Sequence, residues 1–181
     1  PGGGRGPTRR ADAARFPPRW QEGMKSKGYV LVVEDDPAMR DTCLRLLARA
    51  GYEAEGVEDG EAALARLKAG STPQIVVVDL RLPKKDGLAV LAEIRASNPD
   101  VSVVIMTGYA TIKSAVNSIK LGAVDYIAKP FEKDDFLKVI DQQIRLRNLE
   151  HRVERLQSEL LGRYSVENIV GRSKPMEAVF D

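Results

Sequence analysis

Four apolar runs in this chain each end on a residue able to do chemistry. Tyr29–Val33 leads into Glu34-Asp35-Asp36, Ile75–Val78 into Asp79, Val101–Met106 into Thr107, and Val124–Ala128 into Lys129. If the runs are parallel strands, these residues share one edge of a sheet, the edge at which open α/β folds bind ligands. Carboxylates crowded there repel one another unless a cation lies between them. Oxygen donors with no histidine or cysteine suit Mg²⁺, which takes one or two carboxylates and completes its shell with water, a backbone carbonyl and phosphate oxygens. A hydroxyl and a lysine ammonium on the far side are what the oxygens of a phosphoryl group require. Together the set describes phosphoryl transfer with an aspartate as covalent acceptor. Singly, each residue has a plainer explanation: Asp36 before Pro37 reads as a helix cap or a solvent-facing charge, and Lys129-Pro130 as a turn. The combination carries the signal.

The elements that must position these residues follow from the pattern between them. Ile75–Val78 is mostly β-branched and unbroken, which reads as a strand buried on both faces, and Leu80–Pro83 reads as loop because the residue before a proline avoids the helical region. Pro37 opens a helix with Met39, Cys43, Leu46 and Leu47 at helical spacing, and Gly51 stops it. Tyr52–Val57 is a weaker strand, and Asp59 is the expected N-cap of a helix through Lys68. Asp86-Gly87 starts a helix carrying Leu88, Leu91 and Ile94 that ends at Asn98-Pro99. Ile112–Lys120 is a short helix, and Asp134 or Asp135 is expected to cap a last one beginning around Phe136. Five short apolar strands alternating with helices imply parallel pairing, right-handed crossovers and helices on both faces: a doubly wound α/β fold around a five-stranded parallel sheet.

Composition narrows the classes. The 181 residues are 43% hydrophobic and 30% charged, as expected of one globular domain with extensions, and no apolar run approaches a membrane span. A single cysteine, Cys43, excludes an internal disulfide and fits a reducing cytoplasm. The net charge of +2 is unevenly placed. Residues 1–23 hold five arginines against one aspartate and one glutamate, +3, leaving 23 basic and 24 acidic residues, −1, in the remainder. The body of the chain therefore lacks the charge of a nucleic-acid binder. Residues 1–26 are rich in Gly, Pro and Arg without apolar periodicity and are expected to be a disordered tail, with Met24 as the native start.

The pieces VLVVEDDPAMR at 30–40, VVVDLRLPKKDG at 76–87, VIMTGYA at 104–110 and DYIAKPF at 125–131 resemble, in order and spacing, the receiver domain of a two-component response regulator. The resemblance covers 27–147 and implies a flavodoxin-like receiver fold. It implies that Asp79 is the phosphoacceptor, loaded by a sensor histidine kinase. Asp35 would coordinate Mg²⁺ directly, Glu34 would act beside it through water, and Arg81 would lend its backbone carbonyl. Thr107 would bond a phosphoryl oxygen, Lys129 would form its ion pair, Tyr126 matches the switch aromatic, and Lys129-Pro130 matches a peptide bond usually cis in the family. The acidic pair reads Glu34-Asp35 where Asp-Asp is commonest. The domain would not be an enzyme beyond its own phosphorylation and dephosphorylation.

Beyond the receiver, Leu146, Leu149, Val153, Leu156 and Leu160 are spaced 3, 4, 3, 4, a heptad seam that predicts a coiled-coil linker over 148–163 and a homodimer through 146–160. The stretch ENIVGRSKPMEAVFD resembles the opening of the AAA+ module of NtrC-type sigma-54-dependent activators, so 164–181 is expected to be its start. No Gly-rich phosphate loop precedes Asp181, and a truncated regulator follows as the expectation, reaching sigma-54 RNA polymerase and DNA only through a missing part. A stand-alone receiver or phosphorelay module is the alternative. A flavodoxin-like FMN binder would need a Ser/Thr/Gly-rich loop at Glu34-Asp35-Asp36, and a dinucleotide enzyme G-x-G-x-x-G there. An aspartate-nucleophile phosphatase would need a second acid at Arg81.

Overall fold

The computed structural model describes residues 26–108 and 112–163. Its β-branched runs form five parallel strands: β1 (Tyr29–Val33), β2 (Glu53–Val57), β3 (Ile75–Asp79), β4 (Ser102–Thr107) and β5 (Asp125–Ala128). Their order is β2-β1-β3-β4-β5. Five helices connect and cover them: α1 (Pro37–Arg49), α2 (Gly60–Lys68), α3 (Gly87–Ser97), α4 (Ile112–Lys120) and α5 (Lys133–Arg163).

Successive side chains of a strand face opposite sides, and here both sides are apolar. Leu31, Val33, Val76, Val78, Val103 and Ile105 pack with Leu64 and Leu67 of α2 and with Val90, Leu91 and Ile94 of α3. Val30, Val32, Ile75, Val77, Val104 and Met106 pack on the other side with Cys43 and Leu47 of α1 and with Phe136, Ile140 and Ile144 of α5. The doubly wound sheet expected from the alternation is the one observed. Among the described residues, no helix is long and apolar enough to cross a membrane.

Several boundaries differ from the sequence reading, each for a local reason. Tyr52 precedes β2, because its N–H donates to Leu47 O at 3.0 Å and closes the end of α1. That turn runs through Gly51 at φ +90°, a conformation glycine adopts freely. Val101 is a turn residue whose N–H bonds Asn98 O at 3.1 Å, so β4 begins at Ser102. β5 begins at Asp125, although Val124 N–H already reaches Val103 O at 2.9 Å. α5 starts at Lys133, not near Phe136: Phe136 N–H donates to Glu132 O, which leaves Asp134 and Asp135 inside the first turn rather than at the cap. Both charges there still complement the helix dipole. The expected helix caps Asp36 and Asp59 are found, accepting from Ala38 N–H and Ala62 N–H respectively. The helix expected over 148–163 is continuous with α5. The tail expected over 1–26, save Ser26, and the module start expected over 164–181 lie outside the described residues.

Candidate functional site

Strand register brings the strand-end residues together. Val33 pairs with both Val57 and Val78, Asp79 pairs with Met106, and Thr107 pairs with Ala128. Glu34 and Asp79 therefore follow paired residues of adjacent strands. Lys129 leaves β5 beside the end of β4, its N–H donating to Thr107 O at 2.7 Å.

The side chains converge on one point. Lys129 Nζ lies 2.5 Å from Glu34 Oε2 and 2.7 Å from Asp79 Oδ2. Asp79 Oδ1 accepts the Arg81 N–H at 3.1 Å. One carboxylate oxygen from each of Glu34, Asp35 and Asp79 falls within a group spanning no more than 4.8 Å. Glu34 is 1% exposed, Thr107 2% and Asp79 7%, while Asp35 faces solvent. Only the mouth of the cluster is wet. The turn that carries Glu34 and Asp35 is held by Arg40, which donates to Glu34 O at 2.6 Å.

Burial pushes the Glu34 carboxyl above its ordinary value, opposed by the hydrogen bond from Lys129 and reinforced by the nearby charge of Asp79. For Lys129, burial works against the ammonium, but hydrogen bonds to Asp79 and Glu34 outweigh it and hold the amine above its usual range. Lys129 is thus a fixed cation. Three acids share one lysine, so negative charge is left over, in a set of hard oxygen donors open on the Asp35 side. These donors fit a divalent cation such as Mg²⁺. Cys43 lies behind the site, and burial pushes its thiol up to about 12, consistent with a core residue.

Of the residues expected from the sequence, Glu34, Asp35, Asp79 and Lys129 are brought together, and Thr107 is buried at the neighbouring strand end. Arg81 follows Asp79 in the loop after β3. Tyr126 stands apart on β5, 42% exposed and turned outward. The Lys129-Pro130 peptide is cis, as the resemblance implied. Sequence reasoning missed Gly87: a Cβ at this position would lie 2.2 Å from Asp79 O. The start of α3 is seated directly against the backbone of Asp79, and only a hydrogen fits between them. The Asp-Gly at 86–87 was visible as a helix start, but nothing in it signals this approach.

Residues 30–141 match the family model for the response regulator receiver domain. The chain belongs to that family. It is 39% identical to the transcriptional regulatory protein FixJ of Bradyrhizobium diazoefficiens over 122 residues, 67% of this chain and 59% of that protein. It is 38% identical to the DNA-binding transcriptional regulator NtrC of Salmonella typhimurium over 118 residues, 65% of this chain and 25% of that protein. Among solved structures, NtrX from Brucella abortus in complex with ATP superposes with a TM-score of 0.68 at 33% identity, covering 72% of this chain and 30% of that one. The chain therefore spans little more than half of FixJ and about a quarter of NtrC. It carries the receiver domain of response regulators related to both, a signalling module of two-component systems rather than a conventional enzyme.

Proposed function

We propose that this receiver accepts a phosphoryl group on Asp79 from a phosphohistidine of a sensor kinase and relays it as a conformational signal to a transcription-activating output. The observation that carries the reading is the double contact of Lys129 with Glu34 and Asp79, with Asp35 alongside. It presents one buried carboxylate as nucleophile, with a fixed cation beside it and a vacant share of negative charge for a metal.

An Asp79 carboxylate oxygen attacks phosphorus, the phosphorus–nitrogen bond breaks, and the electron pair returns to the imidazole. Lys129 already lies against Asp79 and stays with the incoming oxygens. Thr107 donates its hydroxyl to one of them, and Arg81 N–H keeps the carboxylate oriented through Oδ1. Glu34, Asp35 and Asp79, with the Arg81 carbonyl, would hold Mg²⁺, which supplies neutralisation of charge on the transferring group. The product carries about −1.5 to −2 charges near neutral pH. Movement of Thr107 toward that charge clears space for Tyr126, which is 42% exposed on β5, to turn inward.

The output is a sigma-54-dependent ATPase, reached through a dimer of the α5 extension, and the whole acts in the cytoplasm. Support comes from the NtrC and NtrX relationships and from the ENIVGRSKPMEAVFD segment. The experiment is labelling with acetyl phosphate in Mg²⁺: wild type takes up acid-labile phosphate and Asp79→Asn takes up none. Undiminished labelling of the variant would overturn the assignment.

A further inference from the structure

Two adjacent lysines in the β3–α3 loop are drawn to opposite sides. Lys85 donates to Glu93 of α3, the helix the loop itself enters. Lys84 Nζ reaches across to Asp59 Oδ2 at 2.7 Å, on the separate loop between β2 and α2. Asp59 is 5% exposed, and its other oxygen accepts Ala62 N–H at 2.8 Å as the cap of α2. Lys84 has φ +68°, and among the described residues it is the one non-glycine with positive φ. Glycine would take that conformation freely, and any L side chain is strained in it. Here the position holds a lysine whose ammonium lies on a buried carboxylate. An exposed ion pair alone contributes little; this pair has a buried, doubly bonded acid and a strained backbone behind it. The hydrogen bond from Lys84, followed by that from Ala62 N–H, holds the Asp59 carboxyl below the usual carboxylate range.

The loop needs an outside anchor. Its stems are fixed where Leu80 N–H bonds Met106 O at 2.8 Å and Gly87 N–H bonds Leu80 O at 3.0 Å. Between them, an open cleft of about 490 Å³ lies among Arg81, Lys84 and Leu88, and within the span half-buried Leu82 is the hydrophobic that packs against the core.

We propose that the Lys84–Asp59 pair is a positioning device for the phosphoryl site, fixing the β3–α3 loop so that the Arg81 carbonyl stays in reach of the carboxylate cluster. The inference rests on the reading of Asp79 as acceptor and Arg81 as carbonyl donor.

The test is calorimetric titration of the full chain with Mg²⁺ in the absence of any phosphodonor, alongside thermal unfolding in EDTA. Lys84→Met weakens Mg²⁺ binding on the order of tenfold, as expected when a group supporting a ligand is lost. Asp59→Asn, which keeps the cap but not the charge, weakens it equally, and the double variant binds no worse than either. Lys84→Arg, which keeps a cationic donor for the Asp59 oxygen, binds more tightly than Lys84→Met. Lys84→Gly relieves the backbone while removing the ammonium, so it stays folded and still binds weakly. Wild-type Mg²⁺ affinity in Lys84→Met or Lys84→Gly, whatever their unfolding temperatures, overturns the proposal, as does Lys84→Arg binding as weakly as Lys84→Met. If wild type binds no Mg²⁺, or Asp79→Asn still labels, the underlying reading fails instead.

Discussion

Lys129 touches two carboxylates at once, and its replacement should show what each contact is worth. All three partners are buried or nearly so, with side-chain exposures of 15% for Lys129, 2% for Glu34 and 10% for Asp79. Removing one member of a buried pair leaves uncompensated charge and costs about 3–5 kcal/mol. Lys129→Met leaves Glu34 and Asp79 facing each other with no cation between them. Its stability in EDTA, measured by urea denaturation, should therefore fall by about that amount. Mg²⁺ should recover part of the deficit, because a cation binding the native cluster stabilises it by mass action. An unchanged urea midpoint would show that the ammonium is solvated and not engaged. Asp35 makes the contrast: it lies at the wet mouth of the cluster, where the loss of a charge should be cheap for the fold and should show only in Mg²⁺ affinity.

At the scale of elements, α5 is fastened to the far end of the sheet by Tyr52, whose hydroxyl donates to Asp141. Burial, then the bond to Asp141, raises the Tyr52 phenol above its ordinary value of 10.0. The folded chain thus holds this proton more tightly than the unfolded chain does. Stability from the pair is complete below pH 10 and is lost as pH rises through the folded value. Tyr52→Phe should cost about 1 kcal/mol at pH 7, and the gap between variant and wild type should hold up to pH 10 and close only as pH rises above it in thermal unfolding. A gap that stays constant above pH 10 would show that Tyr52 does not titrate with the fold. The elements themselves were legible because punctuation is local: Pro37, Gly51, Asp59 and Asn98-Pro99 mark helix ends by their own backbone preferences. The convergence of Glu34, Asp35, Asp79 and Lys129 was legible because parallel pairing carries every strand end to one edge. What the sequence hid is tertiary. Nothing local says that Lys84 pairs with a cap 25 residues earlier, that Gly87 abuts Asp79 O, or that Tyr52 leaves β2 to close α1.

At the scale of the whole molecule, α5 changes its surroundings along one helix. Phe136, Ile140 and Ile144 are buried against the sheet. From Leu146 onward the apolar residues turn away from it: Leu146, Leu149, Val153, Leu156 and Leu160 are 47–58% exposed. Residues 146–163 span about 27 Å at 1.5 Å per residue, and a helix of this length is marginal alone in water. Its seam, repeating every 3.5 residues, is complementary to a second copy of itself, and burying a Leu or Val side chain yields about 1.5–3 kcal/mol. Ten such side chains in a dimer offer at most about 15–30 kcal/mol, set against an association cost of about 4–15 kcal/mol and incomplete burial in so short a coil. The expected outcome is a dimer that dissociates on dilution. Leu149→Asp with Leu156→Asp should give a monomer by light scattering at concentrations where wild type is dimeric. Acetyl phosphate labelling of Asp79 should be unchanged, since neither residue touches the receiver core. Beryllofluoride, a phosphoryl mimic, added to wild type then tells whether the occupied site strengthens or loosens the pair, because α5 lies between the two. A wild-type chain that is monomeric with and without the mimic would remove the seam from the mechanism and leave the receiver to signal through its own surface.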